Sequence, residues 1–389
     1  MKLDDRWALI SEQQSVSRRM FLREAGLLGA GVAAASVMGC DSSSGPKGPP
    51  RGELIVLQSE SPHVQVFDPA TSQLLRQADI PNFLRWSYND DNNYFDGTNL
   101  WLGAMTPVHG APDFEGNEIL LLDVDKLVVT ARVPLGKEGT MANPATGVTN
   151  AMLNLGKPTR GGRLLVGKMF VGEIVVMDVN RRVAIISKKL LDGPDWVCDT
   201  DFSLASDGKP RQFVATNNTG KVLSIDPGTL AVTATYQAAT GVRPYMLTTA
   251  PDGNRVWVQN FFAAGYTGER SGVTVLDAKT LAVVKQIDTG LIPLNVGFSP
   301  DGSLAYITHS NGTYVTVVDT LSTAEVRRVE AGGAASAIAV HPDGRSIFIR
   351  VNSTENYLVR VDTATWQVGP RFAVTSVRAT SGLYMRPLV

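Results

Sequence analysis

The chain runs to 389 residues, with 36 basic and 37 acidic side chains and a formal net charge of −1. That balance lacks the basic footprint of a nucleic-acid binder and the acidic excess of a salt-adapted protein. Two cysteines, Cys40 and Cys198, cannot build a disulfide framework, and no Cys-x-x-Cys-His run exists to attach a c-type haem.

The first 39 residues read as a signal peptide to be set aside from fold reasoning. Ser17-Arg18-Arg19-Met20-Phe21-Leu22-Arg23 carries a twin-arginine pair, Arg18 and Arg19, followed by a Gly- and Ala-rich apolar run from Ala25 to Gly39. Fifteen residues are too few to span a bilayer comfortably, so the run reads as the h-region of a twin-arginine signal. Val37-Met38-Gly39-Cys40 resembles a bacterial lipobox with Cys40 as the lipidated residue, and Asp41 resembles an inner-membrane retention signal. Residues 40–51 then form a Ser-, Gly- and Pro-rich tether, and 52–389 a single folded domain. The expected location is the outer side of the cytoplasmic membrane, held by lipid rather than by a spanning helix.

Within 52–389 one pattern recurs seven times: an alternating apolar run, an aspartate, a short turn and a second β-rich run. The anchors are Asp68, Asp123, Asp178, Asp226, Asp277, Asp319 and Asp362, spaced 42 to 55 residues apart. Each spacing fits one four-stranded propeller blade, and no long segment has a helical period. The inside of a repeat is clearest late in the chain. An inner strand over Ile292–Phe298 leads through Ser299-Pro300-Asp301-Gly302 to strands at Leu304–Thr308 and Tyr314–Val318. Past Asp319 comes a fourth at Ala324–Val329. Asp-Gly turns recur at Asp207, Asp252 and Asp343 and more loosely at Asp96, and are expected to supply the positive-φ residues of tight hairpins. The seven anchors are expected to bond their own backbone rather than act as a catalytic set.

The segment SPDGSLAYITHSNGTYVTVVDTLSTAEVRRVEAG resembles the repeats of the YVTN family of β-propellers, closely from about Arg243 onward and more loosely before Pro194. The resemblance implies an all-β, seven-bladed β-propeller of four-stranded antiparallel blades, and no particular activity. Glu53–Gln58 reads as the second strand of a blade and Gly382–Val389 as an orphan inner strand. Pairing them would close the ring with N- and C-terminal strands sharing one blade.

Candidate chemistry lies in loops and at strand ends. Two blades have longer loops, over Met105–Gly116 and Phe261–Gly272, and extra loop on a rigid scaffold is where binding tends to reside. The first holds His109, Asp113 and Glu115; the second holds Tyr266, Glu269 and Arg270 behind Phe261 and Phe262. His309 stands where the YVTN pattern has Asn. These groups could converge above the channel as a small-ligand or metal site: calcium, a transition metal or a non-covalent haem. Asp199 and Asp201 share one side of an inner strand and could hold a cation; Arg243 enters an inner strand and could hold an anion. Cys198 lacks an adjacent base and reads as a small buried residue.

No Gly-x-Ser-x-Gly elbow, phosphate loop or Rossmann fingerprint is present. Propeller lactonases resemble the chain in repeat style, but their histidine-rich first-blade motif has no counterpart. The leading expectation is a ligand- or protein-binding scaffold with a partner outside the cytoplasm and no nucleic acid. The alternatives are an oxidoreductase or accessory subunit holding a metal or haem, and a metal-dependent hydrolase or lyase.

Overall fold

The structure, a computed structural model, describes residues 51–58, 62–81, 85–86, 94–107, 115–136, 153–155, 162–168, 172–191, 195, 197–262, 272–290, 292–352, 357–374 and 380–388. The export signal, Cys40 and the tether up to Pro50 lie outside them, while Arg51, taken above as its last residue, opens the first strand. Among the described residues, twenty-nine strands form seven antiparallel sheets, the blades of a seven-bladed propeller. Blade 1 runs Thr380–Leu388, Arg51–Gln58, His63–Phe67, Leu74–Asp79 from the axis outward. The two ends of the domain therefore meet as expected, with Leu54 opposite Met385 and Val56 opposite Leu383.

Six sheets have four strands and the second has five. Its inner strand is split into Arg85–Trp86 and Tyr94–Phe95, both paired with Asn99–Pro107. Trp86 lies opposite Ala104 and Tyr94 opposite Trp101, so seven residues of one chain segment fall where the partner strand has two.

The alternating runs are apolar on both faces because each blade is covered on both sides. In the strand Arg51–Gln58, Ile55 and Leu57 pack toward blade 2 with Leu100, Leu102, Leu120 and Leu122. Leu54 and Val56 pack toward blade 7 with Ala337, Phe348, Leu358 and Phe372. This is the logic that makes fully covered strands read as continuous Val, Ile and Leu. The described core divides into seven clusters, one for each seam between neighbouring blades.

All seven anchor aspartates turn the third strand into the fourth. Each Oδ1 accepts a backbone N–H two or three residues on, at 2.7–3.2 Å. The N–H of Ser322 and that of Thr365 hold the carboxyls of Asp319 and Asp362 below the usual range. Four residues past each anchor the backbone turns left-handed, at Ser72, Leu127, Arg182, Leu230, Leu281, Thr323 and Trp366, with φ between 53° and 64°. Leu127, Leu230 and Leu281 recover the strain by burying their side chains. Arg182 is exposed and recovers nothing.

Arg182→Gly is therefore expected to stabilise the fold by about 0.5 kcal/mol, the left-handed penalty less the extra freedom glycine gives the unfolded chain. Leu230→Gly is expected to destabilise by roughly 2 kcal/mol or more. Chemical denaturation of both variants checks the contrast.

The Asp-Gly turns differ in one respect from expectation. Glycine alone takes positive φ, at 71–74° in Gly208, Gly253, Gly302 and Gly344, while the preceding aspartate stays right-handed. Gly302 N–H donates to Ser299 O at 2.8 Å and Asp301 Oδ1 accepts from Ser303 N at 3.0 Å. The turn is thus a type I turn closed by a left-handed glycine, not the mirror-image turn. Gly253 also abuts blade 4: a Cβ there would run into the carbonyl oxygen of Leu204.

Candidate functional site

Chain direction divides the propeller into two ends. The Asp-Gly turns and the anchor turns share one, the turn end. The starts of the inner strands and the ends of the second strands share the other, the loop end. Inner strands of neighbouring blades lie against each other around the axis.

At the loop end the seam between blades 4 and 5 collects several sequence candidates. Blade 4 begins with Val197–Leu204 and blade 5 with Val242–Thr249. A bulge in each strand falls at Cys198 and at Tyr245. Asp199 Oδ2 accepts Leu247 N–H at 2.9 Å and Asp201 Oδ2 accepts Thr249 N–H at 2.7 Å. Their Oδ1 atoms accept the N–H of Thr200 and Phe202, each at 2.8 Å. Both carboxylates are buried, and they lace two inner strands together with backbone bonds. Asp195 does the same within blade 4, accepting from the N–H groups of Asn218 and Thr219. Among the described residues no group of three or more His, Cys, Asp or Glu could hold a metal ion. Burial, followed by the charges of Asp199 and Asp195, pushes the Cys198 thiol well above its ordinary value, so it is held as a thiol.

Arg243 and Phe261 are register partners in blade 5, so their side chains share a face. The Tyr245 ring stacks on Phe261 with centroids 4.2 Å apart and planes 8° apart. Arg243 is exposed, and among the described residues its side chain forms no hydrogen bond or ion pair. A guanidinium with no partner among the described residues, beside a flat aromatic pair, has the chemistry to meet a planar or anionic group. The sequence displayed Arg243-Pro244-Tyr245 and Phe261-Phe262 separately. The register that makes them neighbours depends on the Tyr245 bulge, which has no motif.

His309 lies inside blade 6, with none of its surface exposed. Its Nε2 is 2.9 Å from Thr316 Oγ1. The equivalent residue of blade 5, Asn260, donates from Nδ2 to Thr274 Oγ1, also at 2.9 Å. Histidine here does what asparagine does one blade earlier: it ties the second strand to the third. Burial, helped by the nearby charge of Arg328, lowers its pKa to about 4.

The first long loop is partly strand. Asn99–Pro107 and Glu115–Asp123 pair up to Pro107 opposite Glu115, so Met105 to Pro107 and Glu115 to Gly116 are arms of an extended hairpin. His109 and Asp113, and in blade 5 Tyr266, Glu269 and Arg270, lie outside the described residues.

A charged cluster on the blade 1 side was not anticipated. Arg76 clasps Glu53 with both Nη atoms, at 2.8 and 2.6 Å, and its Nε donates to Val124 O at 3.1 Å. Arg386 Nη1 donates to Glu53 at 3.2 Å and to Asp125 at 2.7 Å, with its guanidinium 5.2 Å from the centre of the Phe95 ring. One buried carboxylate thus joins both ends of the domain to blade 2.

No family model and no curated protein matches the chain. Solved structures of the same fold do. A Bacteroides uniformis protein provisionally described as a 6-phosphogluconolactonase is 15% identical, with TM-score 0.60, over 86% of this chain and 99% of that one. Dihydro-heme d1 dehydrogenase NirN in complex with DHE is 15% identical, with TM-score 0.55, over 85% and 74%. Hydrazine synthase of Kuenenia stuttgartiensis is 18% identical, with TM-score 0.52, over 73% and 78%. At these identities the likeness is one of fold, which hosts unrelated activities.

Proposed function

We propose that the chain is a membrane-tethered, extracytoplasmic propeller of the YVTN type that serves as a ligand- or protein-binding scaffold. In this reading it is exported by the twin-arginine route through Arg18 and Arg19 and anchored by lipid on Cys40. The order of signal, lipobox cysteine and Ser/Gly/Pro tether supports the address. The observation that carries the binding role is the blade 4–5 mouth, where the Arg243 guanidinium, without a partner among the described residues, stands beside the stacked Tyr245 and Phe261.

Crosslinking in intact cells, followed by capture of the tethered protein, tests it. Arg243→Ala is expected to reduce recovery of the captured partner or ligand roughly tenfold, the scale of one charge-assisted hydrogen bond, and Phe261→Ala by about the same factor through the lost aromatic contact. Unchanged recovery in both variants would remove this mouth as the binding site.

A second reading is an accessory subunit of an oxidoreductase holding a metal or haem. It draws on the likeness to the dehydrogenase solved with DHE and on His109, which lies outside the described residues. His309 contributes little to it, because its ring is enclosed and bonded to Thr316. Native mass spectrometry of the exported protein decides: an excess mass lost on His109→Ala favours the subunit, a bare polypeptide the scaffold.

A further inference from the structure

We propose that the turn end of the propeller faces the membrane and the loop end, with its Arg243–Tyr245–Phe261 mouth, opens away from it into the soluble phase. The proposal rests on the tether reading above and adds an orientation to it.

Strand direction carries the argument. The chain enters the domain at Arg51, opposite Leu388 in the C-terminal strand. Both lie at the turn end: a Cβ added to Gly52 would be 3.3 Å from His341 Nε2. His341 opens the Pro-Asp-Gly turn of blade 7, where Gly344 N–H donates to its carbonyl at 2.9 Å. From there Arg51–Gln58 runs toward the loop end as the second strand of blade 1.

The tether is short on this scale. From Cys40 to Arg51 is eleven residues. Fully extended they reach about 40 Å, and as a flexible chain about 18 Å on average. A strand of six to nine residues is roughly 20–30 Å long, so the loop end is carried that much farther from the lipid than the turn end.

The chemistry of the two ends agrees. Twelve aspartates populate the turn end: the seven anchors and Asp96, Asp207, Asp252, Asp301 and Asp343 of the Asp-Gly turns. Described carboxylates among them are committed to local backbone N–H groups, as at Asp96, Asp252 and Asp343. Lys126, Arg181, Arg182, Lys209, Lys279 and Arg345 sit among the same turns, and the aspartates, already bonded, offer neighbouring molecules little that is unsatisfied. This end stands off the bilayer by the tether, while the Arg243 guanidinium lies at the other end.

The test uses the full, lipid-modified protein in phosphatidylethanolamine–phosphatidylglycerol vesicles carrying a headgroup energy acceptor. A donor dye is attached at Ala364→Cys, exposed in the Asp362 turn, or at Thr240→Cys, exposed before the inner strand of blade 5. Cys198 is 4% exposed and does not compete for dye. Transfer from position 364 is expected to exceed that from 240 about twofold, given roughly 20 Å between the two ends. Lengthening the tether by about twenty residues is expected to narrow the difference. Equal or reversed transfer from protein that floats with the vesicles overturns the orientation and leaves the tether standing. Protein that does not float overturns the tether and the orientation with it.

Discussion

Glu53→Ala is expected to cost roughly 3–5 kcal/mol of unfolding free energy, the scale of breaking a buried ion pair from one side. Glu53 is 9% exposed and is the common acceptor for Arg76 and Arg386. Its removal leaves two guanidiniums partly desolvated against one exposed carboxylate, Asp125, whose side chain is 68% accessible. The loss falls on ring closure, because Glu53 and Arg386 lie on the paired strands that join the ends of the domain. Asp125→Ala removes an exposed partner and is expected to cost under about 1 kcal/mol. Denaturant titration of both variants gives the comparison. Equal losses would mean that Arg386 is held by Asp125 alone. A Glu53→Ala loss below about 1 kcal/mol would mean that the strand pair is closed by its apolar contacts, Leu54 and Val56 against Met385 and Leu383.

What was legible in the sequence is what local chemistry repeats. Seven aspartates declared seven turns because each satisfies the backbone of its own hairpin, and that needs nothing from elsewhere in the chain. Ring closure was legible because an apolar strand left over at each end has one economical place to go. The Glu53–Arg76–Arg386–Asp125 cluster was not legible: its members are up to 333 residues apart and belong to no periodic pattern. Asp199 and Asp201 were legible as neighbours on one side of a strand, but not as acceptors for amides of the next blade, since that depends on how two inner strands lie against each other. The split inner strand of blade 2 escaped for the same reason: its two-residue pieces are too short to carry an alternation. His309 was read by its type, as a ligand. Its role follows from its position, which in the neighbouring blade holds asparagine.

That position makes His309 the source of an acid-sensitive stability term. Burial, then the Arg328 charge, lowers its pKa to about 4 from the usual 6.5. Between those values the unfolded chain binds a proton that the folded chain refuses. Stability contributed by the neutral ring is therefore complete above about pH 6.5 and is lost as pH falls toward 4, below which it changes no further. The full span is roughly 3 kcal/mol, the gap between 6.5 and about 4 taken at about 1.36 kcal/mol per tenfold change in proton affinity. His309→Asn keeps an amide in reach of Thr316 Oγ1, as Asn260 reaches Thr274, and removes the titrating ring. Near pH 7 this variant is expected to lie within about 1 kcal/mol of the parent protein, and near pH 4.5 to be the more stable of the two by about 2 kcal/mol. The comparison cancels the carboxylates, which destabilise both proteins alike as they protonate. His309→Ala supplies the control for packing: it should lose stability at both pH values, because Thr316 is left without its partner and a cavity opens beside Tyr314, whose ring centre lies 5.2 Å from that of His309. Parallel pH profiles for the parent protein and His309→Asn would show that the ring gains its proton at the same pH folded and unfolded, and hence that the enclosure of blade 6 opens to solvent before the acid limb begins.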